Sequence, residues 1–258
     1  MGVMMYYKAS YAVCDILYKM QFAEIRKSHL QGVIDSCGKN YPTLRKLKVL
    51  FNQLYRYALE NDVCQKDYSE FVDIVKHKDR NQDEKRKPFS SGEISSLWDS
   101  ATNEYIQTFL MLIYSGVRIS ELLELKKCNV HIEKRYFDVI NSKTEAGVRS
   151  VPIAAKTLPF YKNWMEQSEC EYLLCSPDGK PFKYRNYYDS YWKPLLEDLG
   201  VEHTPHDTRH TCISLLAKAN VSQTIIKRIV GHSGAQSLTE RVYTHFGIEE
   251  LIEAIDKI

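Results

Sequence analysis

Four short segments of the sequence combine side chains that can act chemically on a negatively charged substrate. They are residues 116–122, 142–144, 206–210 and 231–245. Two of the arginines in these segments, Arg118 and Arg209, are candidates for binding the substrate. An arginine presents a planar fork of hydrogen-bond donors and stays charged at any working pH. A pair of such groups is suited to hold the oxygen atoms of an anion while charge develops on them.

Four further side chains in these segments are candidates for transferring a proton or attacking a substrate: Lys143, His206, His232 and Tyr243. Histidine and lysine act as general acids and bases. Tyrosine has a reference pKa of about 10 and becomes a nucleophile when its proton is removed. His206 precedes Arg209 by one helical turn. Both side chains are therefore expected to face the same side at the start of one helix.

Each of these residues has a commoner explanation when it is taken alone. A single arginine or lysine usually lies on the solvated surface, and a single histidine is usually packed or capped. The histidines His203, His206 and His210 also suggest a metal site. Apart from Asp207, which is expected to point away from their shared face, no carboxylate or cysteine stands at ligand spacing. We therefore predict no metal and no other cofactor.

In this order, the six side chains resemble the signature of the tyrosine recombinase family, also called the phage integrase family. The family pattern is an arginine in G-x-R-x-x-E-L, a lysine in a β-hairpin, an H-x-x-R pair, a G-H dipeptide and a nucleophilic tyrosine. The resemblance covers essentially the whole chain and is to the phage or conjugative-element integrases, apparently without their N-terminal arm-binding domain. The interval between His232 and Tyr243 is slightly longer than in the family, which predicts an extended tyrosine loop.

The resemblance implies a site-specific DNA recombinase, an enzyme that cleaves and rejoins DNA through a 3′-phosphotyrosine intermediate. Its implied catalytic residues are Arg118, Lys143, His206, Arg209, His232 and Tyr243. The arginines would hold the non-bridging phosphate oxygens, the lysine would protonate the 5′ oxygen, and the tyrosine would attack the phosphorus. Glu121 belongs to the same motif and is expected to support the helices rather than react.

The partners implied by the resemblance are double-stranded DNA with specific recombination sites and three further copies of the chain in a homo-tetramer. Accessory DNA-bending or excision factors are also expected, and the protein would act on DNA inside the cell. Two alternatives stay open. A type IB topoisomerase would share the tyrosine chemistry, and a non-catalytic DNA-binding protein could share the fold. The complete set of six polar side chains argues against the second alternative, because a binding protein does not need Tyr243.

The sequence predicts a mainly α-helical protein with a small antiparallel β-sheet, divided into two domains. Residues 1–75 are expected to form a helical core-type DNA-binding domain, possibly truncated. Residues 76–88 are polar, end in a proline and are predicted to be a linker. Residues 89–258 would form the mixed α+β catalytic domain. The pattern Ser90 to Glu93 is typical of a capping box that opens its first helix.

Hydrophobic periodicity predicts the elements that carry the candidate residues. Helices are expected at Tyr41–Glu60, at 103–115, from about 118, at 185–199, 207–219 and 222–230, and from 238 to the end. Strands are expected at 136–141, 148–153 and 172–175, the first two joined as a hairpin that contains Lys143. The amphipathic tail at 248–258 must dock on its own domain or, as the resemblance implies, on a neighbouring protomer.

Composition limits the protein class. The net charge is only +2, although the first 88 residues are distinctly basic, which permits a polyanionic partner. No apolar run has the length of a membrane-spanning helix. The seven cysteines are scattered and never form a C-x-x-C pair. We expect them to be reduced and mostly buried.

Overall fold

The computed structural model describes residues 8–78, 87–141, 147–231 and 247–258. The chain divides into two compact units, Met1–Glu84 and Lys85–Ile258. Within the described residues, no helix is long and apolar enough to cross a membrane. The expectation of a mainly α-helical protein with a small antiparallel sheet is confirmed.

The two longest helices in the described part of the first unit are α1 (Lys27–Ser36) and α2 (Tyr41–Glu60). Short 3₁₀ turns lie at Asp15–Leu17, Phe22–Glu24 and Val75–His77. Helix α2 has the predicted bounds, because the Asn40 side chain caps it by accepting a hydrogen bond from the Thr43 amide, 3.2 Å away. Its apolar face is buried as expected, except that Leu54 is 39% exposed.

The second unit holds most of the helices in the described part of the chain. They are α3 (Ser91–Asp99), α4 (Glu104–Ile113), α5 (Ile119–Leu123), α6 (Leu158–Gln167), α7 (Tyr184–Tyr187), α8 (Lys193–Asp198), α9 (Pro205–Lys218), α10 (Gln223–Val230) and α11 (Ile248–Ile255). A π-helical turn at Tyr188–Trp192 joins α7 to α8, and 3₁₀ turns lie at Lys127–Asn129 and Ile132–Lys134. The predicted capping box opens α3.

Helix α4 lies at the centre of this unit. Every residue from Thr108 to Ile113 is buried, and α9 packs against the helix. A helix that is apolar on all sides must be covered on all sides, which agrees with the sequence-based expectation of a buried helix. The core therefore fixes the positions of the two segments that follow α4 and begin α9.

The sheet is three-stranded and antiparallel, in the order β1 (Val130–His131), β2 (Tyr136–Val139) and β3 (Arg149–Pro152). Phe137 pairs with Val151 in its centre, and both are fully buried. The prediction of a strand at 172–175 is wrong, because Tyr172 and Cys175 form only isolated bridges. The apolar residues between them are buried in the core rather than in a ladder.

The C-terminal helix α11 packs on its own unit. Leu251, Ala254 and Ile255 are buried, and the helix contacts β3 and α10. Asp256 follows the helix and accepts hydrogen bonds from Nη2 of Arg135 at 2.6 and 2.8 Å. Within one chain the apolar stripe is covered by its own unit, the first of the two expected positions. Docking on a neighbouring protomer stays a prediction.

The cysteine prediction is wrong at one pair. Cys170 and Cys175 form a disulfide, with their Cα atoms 6.3 Å apart. Both lie in the irregular segment after α6, whose turn brings the two side chains together although their spacing matches no C-x-x-C pattern. Among the free cysteines, Cys14 and Cys212 are buried, whereas Cys128 is exposed.

Candidate active site

Arg118 is placed by a sharp turn between α4 and α5. Gly116 makes this turn with a φ of +65°, and its amide donates to the carbonyl oxygen of Leu112. A Cβ atom at Gly116 would lie 2.9 Å from Sγ of Cys212, so both the backbone angle and the packing require glycine. Arg118 is then the N-cap residue of α5, with a side chain 37% exposed.

Glu121 lies beneath Arg118 and holds it from the buried side. Its Oε2 accepts a hydrogen bond from the Arg118 amide at 3.0 Å, and its Oε1 pairs with Nη1 of the same arginine. Oε2 also accepts a hydrogen bond from Nη2 of Arg149 at 3.1 Å. This carboxylate therefore lies between an accessible arginine and a buried one. Burial raises its pKa, but the charge and hydrogen bond of Arg149, followed by the hydrogen bonds from Arg118, outweigh burial, so the pKa lies below its usual value.

Arg209 and His206 stand in the first turns of α9. The helix begins with a capping box in which the side chain of Asp207 accepts a hydrogen bond from the Thr204 amide at 2.7 Å. Pro205 follows at a position where its missing N–H is not needed. The His206 side chain is exposed, whereas Arg209, three positions later, is 3% exposed.

The buried guanidinium of Arg209 is held by backbone carbonyl groups. Its Nη1 donates to the oxygens of Gly116, 3.0 Å away, and Val230. Its Nη2 lies 3.5 Å from the oxygen of Gly231. Within the described residues, no carboxylate forms an ion pair with Arg209. Its charge is thus held in place without being neutralised.

The electrostatic balance around these groups is strongly positive. Burial, the charge of Arg118 and the charge of Arg149 lower the pKa of Arg209 to about 10, which still leaves it charged at neutral pH. The charge of the Glu121 carboxylate opposes this effect. Three guanidinium groups around one carboxylate favour the binding of an anion with more than one negative charge or several oxygen acceptors.

The three histidines of α9 and its approach do not converge. His203 stacks on Phe89 with ring centroids 3.9 Å apart, and its Nε2 lies 3.3 Å from Oε2 of Glu93. The rings of His206 and His210 meet edge to face with centroids 4.8 Å apart. Among residues 8–78, 87–141, 147–231 and 247–258, no cluster of three or more potential ligands could hold a metal ion.

Of the six predicted catalytic residues, three lie in the described part of the chain: Arg118, His206 and Arg209. The network around Gly116 brings the two arginines together, and His206 is exposed at the start of the helix that carries Arg209. Lys143, His232 and Tyr243 lie outside the described residues, so their roles stay predictions.

Arg149 is the residue of this network that sequence reasoning missed. It begins β3, and its side chain is 1% exposed. The available signal was its position in the strand, because Arg149 and Val151 share the buried face while Ser150 between them is half-buried. A charged residue at an inward position of a strand requires a buried partner of opposite charge.

Comparison with known proteins agrees with this arrangement. The model of the phage integrase family matches residues 87–249. The chain belongs to this family. The family segment includes α4, α5, the sheet, α9 and α10, and therefore every arginine of the network.

One relative and two solved structures illustrate what this chain is similar to. Tyrosine recombinase XerA from Thermococcus onnurineus is 32% identical over 130 residues, which is 48% of this chain and 45% of that protein. The match thus spans less than half of the relative's length. A Tn1549 transposon integrase, solved in complex with transposon right end DNA, has a TM-score of 0.78 at 17% identity, covering 100% of this chain and 94% of that one. A lambda integrase tetramer bound to a Holliday junction has a TM-score of 0.74 at 14% identity, covering 92% and 74%. The two structures establish the fold.

Proposed function

We propose that the protein is a site-specific DNA recombinase that cleaves and rejoins DNA through a 3′-phosphotyrosine intermediate formed by Tyr243. The observation that carries the proposal is the hydrogen bond from Arg209 to the carbonyl oxygen of Gly116, two residues before Arg118. It joins two guanidinium groups from distant parts of the sequence in one positively charged network. A phosphodiester offers the two non-bridging oxygens that such a pair can hold.

Each candidate residue has a defined role in the proposed reaction. The Tyr243 oxygen attacks the scissile phosphorus, and His206 assists the transfer of its proton. Arg118 and Arg209 hold the non-bridging oxygens while negative charge builds up on them, and His232 adds a hydrogen bond. The bond from phosphorus to the 5′ oxygen breaks, and Lys143 gives that oxygen a proton. The reverse attack by a 5′ hydroxyl rejoins the strand, because the phosphotyrosine ester keeps the energy of the broken bond.

The proposed partners are double-stranded DNA with specific sites, further copies of the chain in a tetramer, and accessory DNA-bending or excision factors. Residues 1–75 would bind DNA as a core-type domain, 76–88 would link the domains, and 89–258 would catalyse the reaction inside the cell. The division of the chain into compact units at residues 84 and 85 supports this organisation. The lambda integrase solved as a tetramer on a Holliday junction supports the assembly.

The proposal is tested by mixing the protein with duplex DNA carrying its recombination site and a nick beside the scissile phosphate. Loss of the short 5′-terminal fragment then traps the covalent intermediate, which is counted on a denaturing gel. Tyr243→Phe is expected to form no adduct and to bind the same DNA within a few-fold of wild type. Tyr184→Phe, at a tyrosine that is 49% exposed and outside the arginine network, is the matched control and should form the adduct normally. An adduct formed by Tyr243→Phe would contradict the proposal.

A further inference from the structure

Arg149 is a buried arginine to which the proposed chemistry gives no role. All three nitrogens of its guanidinium donate hydrogen bonds to the protein. Nε donates to the oxygen of Ile229 at 2.8 Å, Nη1 to the oxygen of Gly147 at 2.8 Å, and Nη2 to Oε2 of Glu121 at 3.1 Å. One side chain therefore connects the approach to β3, the end of α10 and the middle of α5.

The third of these contacts extends to the candidate active site. The carboxylate of Glu121 that accepts from Arg149 also accepts from the Arg118 amide and pairs with the Arg118 guanidinium. The sequence of contacts is thus Arg149 to Glu121 to Arg118. Arg118 is the only accessible member, because its side chain is 37% exposed while those of Glu121 and Arg149 are 4% and 1% exposed.

Charge explains why the two inner members depend on each other. Burial lowers the pKa of Arg149, and the charge and hydrogen bond of Glu121 offset this in part. A buried carboxylate that loses one of its cationic partners is strongly destabilised and turns toward the other or takes up a proton. In either case Glu121 would hold Arg118 in a different position.

Arg149 also lies in close contact with the turn that ends α10. Gly231 adopts a φ of +68°, and a Cβ atom there would lie 2.8 Å from Cζ of Arg149. The guanidinium therefore packs directly on the Gly231 backbone, the same residue whose oxygen lies 3.5 Å from Nη2 of Arg209. Because every guanidinium nitrogen donates to the protein and the side chain is 1% exposed, Arg149 is not placed to touch DNA.

We propose that Arg149 is a positioning residue for strand cleavage, which sets the guanidinium of Arg118 through the carboxylate of Glu121. This role rests on the proposed function, in which Arg118 holds a phosphate oxygen. In this scheme Arg118 and Arg209 contact the substrate, and Arg149 fixes the position of Arg118. Positioning of this kind matters because a displacement of about 1 Å in a catalytic group can cost about 10² in rate.

The test is the single-turnover rate of adduct formation on nicked DNA, with the free energy of unfolding measured for each variant. Arg149→Met is expected to slow adduct formation by about 10²-fold. Arg149→Lys keeps a positive charge beside Glu121 and is expected to recover part of this loss. Val151→Ala, at a fully buried residue of the same strand, is the matched control. It should lower the urea concentration at the midpoint of unfolding, while the folded fraction reacts at the normal rate.

Combination with Arg118→Ala shows which residue transmits the effect. If Arg149 acts through Arg118, then Arg149→Met adds almost no further loss once Arg118 is alanine. Val151→Ala should behave the same in both backgrounds. If the rate of adduct formation in the double variant is instead reduced by the product of the two single reductions, the positioning role is overturned.

A second variant keeps the test valid if Arg149→Met does not fold. The double variant Glu121→Met, Arg149→Met removes the whole buried ion pair, a replacement that is often neutral or stabilising. It is expected to fold and still cleave slowly, because Arg118 has lost its partner. Cleavage at the wild-type rate by this variant, or by Arg149→Met, would overturn the positioning role alone. Failure of the wild-type protein to form any adduct would overturn the proposed function and this role together.

Discussion

The guanidinium of Arg209 donates a hydrogen bond to the carbonyl oxygen of Gly116, 3.0 Å away across 93 positions of sequence. Gly116 makes the turn that delivers Arg118 to the start of α5. The same backbone turn therefore positions Arg118 and accepts a hydrogen bond from Arg209, the two candidate phosphate-binding residues. Any change that moves this turn should move both.

Gly116→Ala is expected to destabilise the protein more than the same change at Gly200. Both glycines have left-handed backbone, with φ values of +65° and +66°, so the conformational cost is matched. Gly200 has no atom within 4 Å of the added Cβ, whereas Gly116 has Sγ of Cys212 and Cγ1 of Val230 at 2.9 Å. The extra overpacking should cost about 1–3 kcal/mol in urea unfolding. Equal losses at the two sites would show that the turn relaxes freely.

Arg118→Ala and Arg209→Ala should both reduce adduct formation by about 10²–10³, the effect of losing one preorganised donor. Their stabilities should differ. Arg209→Ala removes the Arg209 donor from the carbonyl oxygens of Gly116 and Val230, which should cost about 1–3 kcal/mol per group. Arg118→Ala leaves Glu121 its buried partner Arg149 and the backbone amide of residue 118, so it should change unfolding less than Arg209→Ala does.

Urea unfolding together with DNA affinity distinguishes these roles. DNA binding should weaken much less than cleavage in both variants, because many other phosphate contacts would remain. Parallel losses in binding and cleavage would instead identify the arginines as ordinary backbone contacts.

The sequence predicts best those elements whose formation depends on residues close together along the chain. Helix α2 and the buried helix α4 follow from local periodicity, and their predicted bounds agree with the structure to within two residues. The strand expected at 172–175 is absent because these apolar residues are buried in the core without pairing in a sheet. A local apolar pattern does not distinguish burial in the core from burial in a paired strand.

The residues of the candidate site also differ in how readily the sequence reveals them. Arg118 and Arg209 could be found because each stands in a short motif. Arg149 stands in no such motif. Its strand position indicates burial, but its role depends on Glu121, 28 positions earlier, and on the end of α10, 80 positions later. Contacts of that range become visible only when the sheet and helices are assembled.

The buried carboxylate of Glu121 should make stability depend on acid pH. Its pKa in the folded protein is lowered, so its stabilisation is present above the unfolded-state pKa of about 4.3 and is lost as pH falls through the lower folded value. We expect the difference in unfolding free energy between wild type and Glu121→Gln to be constant from pH 7 to about pH 5 and to shrink below about pH 4. Glu253→Gln, at an exposed position of α11, is the control. A difference that stays constant at acid pH would show that folding does not lower the pKa of Glu121.

The tail helix should contribute stability within one chain. Ile255 is fully buried in α11, and Ile255→Ala is expected to cost about 2–5 kcal/mol. Glu253→Ala on the exposed side of the same helix should change stability by less than about 0.5 kcal/mol. Urea unfolding at several protein concentrations checks the location of the contact. A cost that appears only at high concentration would place the tail on a neighbouring molecule instead.

The central claim is that Tyr243 becomes joined to the 3′ phosphate of a cleaved DNA strand. The most direct measurement is mass spectrometry of the covalent adduct after digestion with trypsin and nuclease. The account predicts a phosphate-linked remnant of DNA on the peptide of residues 242–257, which trypsin releases after Arg241 and Lys257. The linkage should be to the 3′ phosphate of the DNA and to the phenol oxygen of Tyr243. An adduct on any other peptide, or a linkage to a 5′ phosphate, would contradict the account.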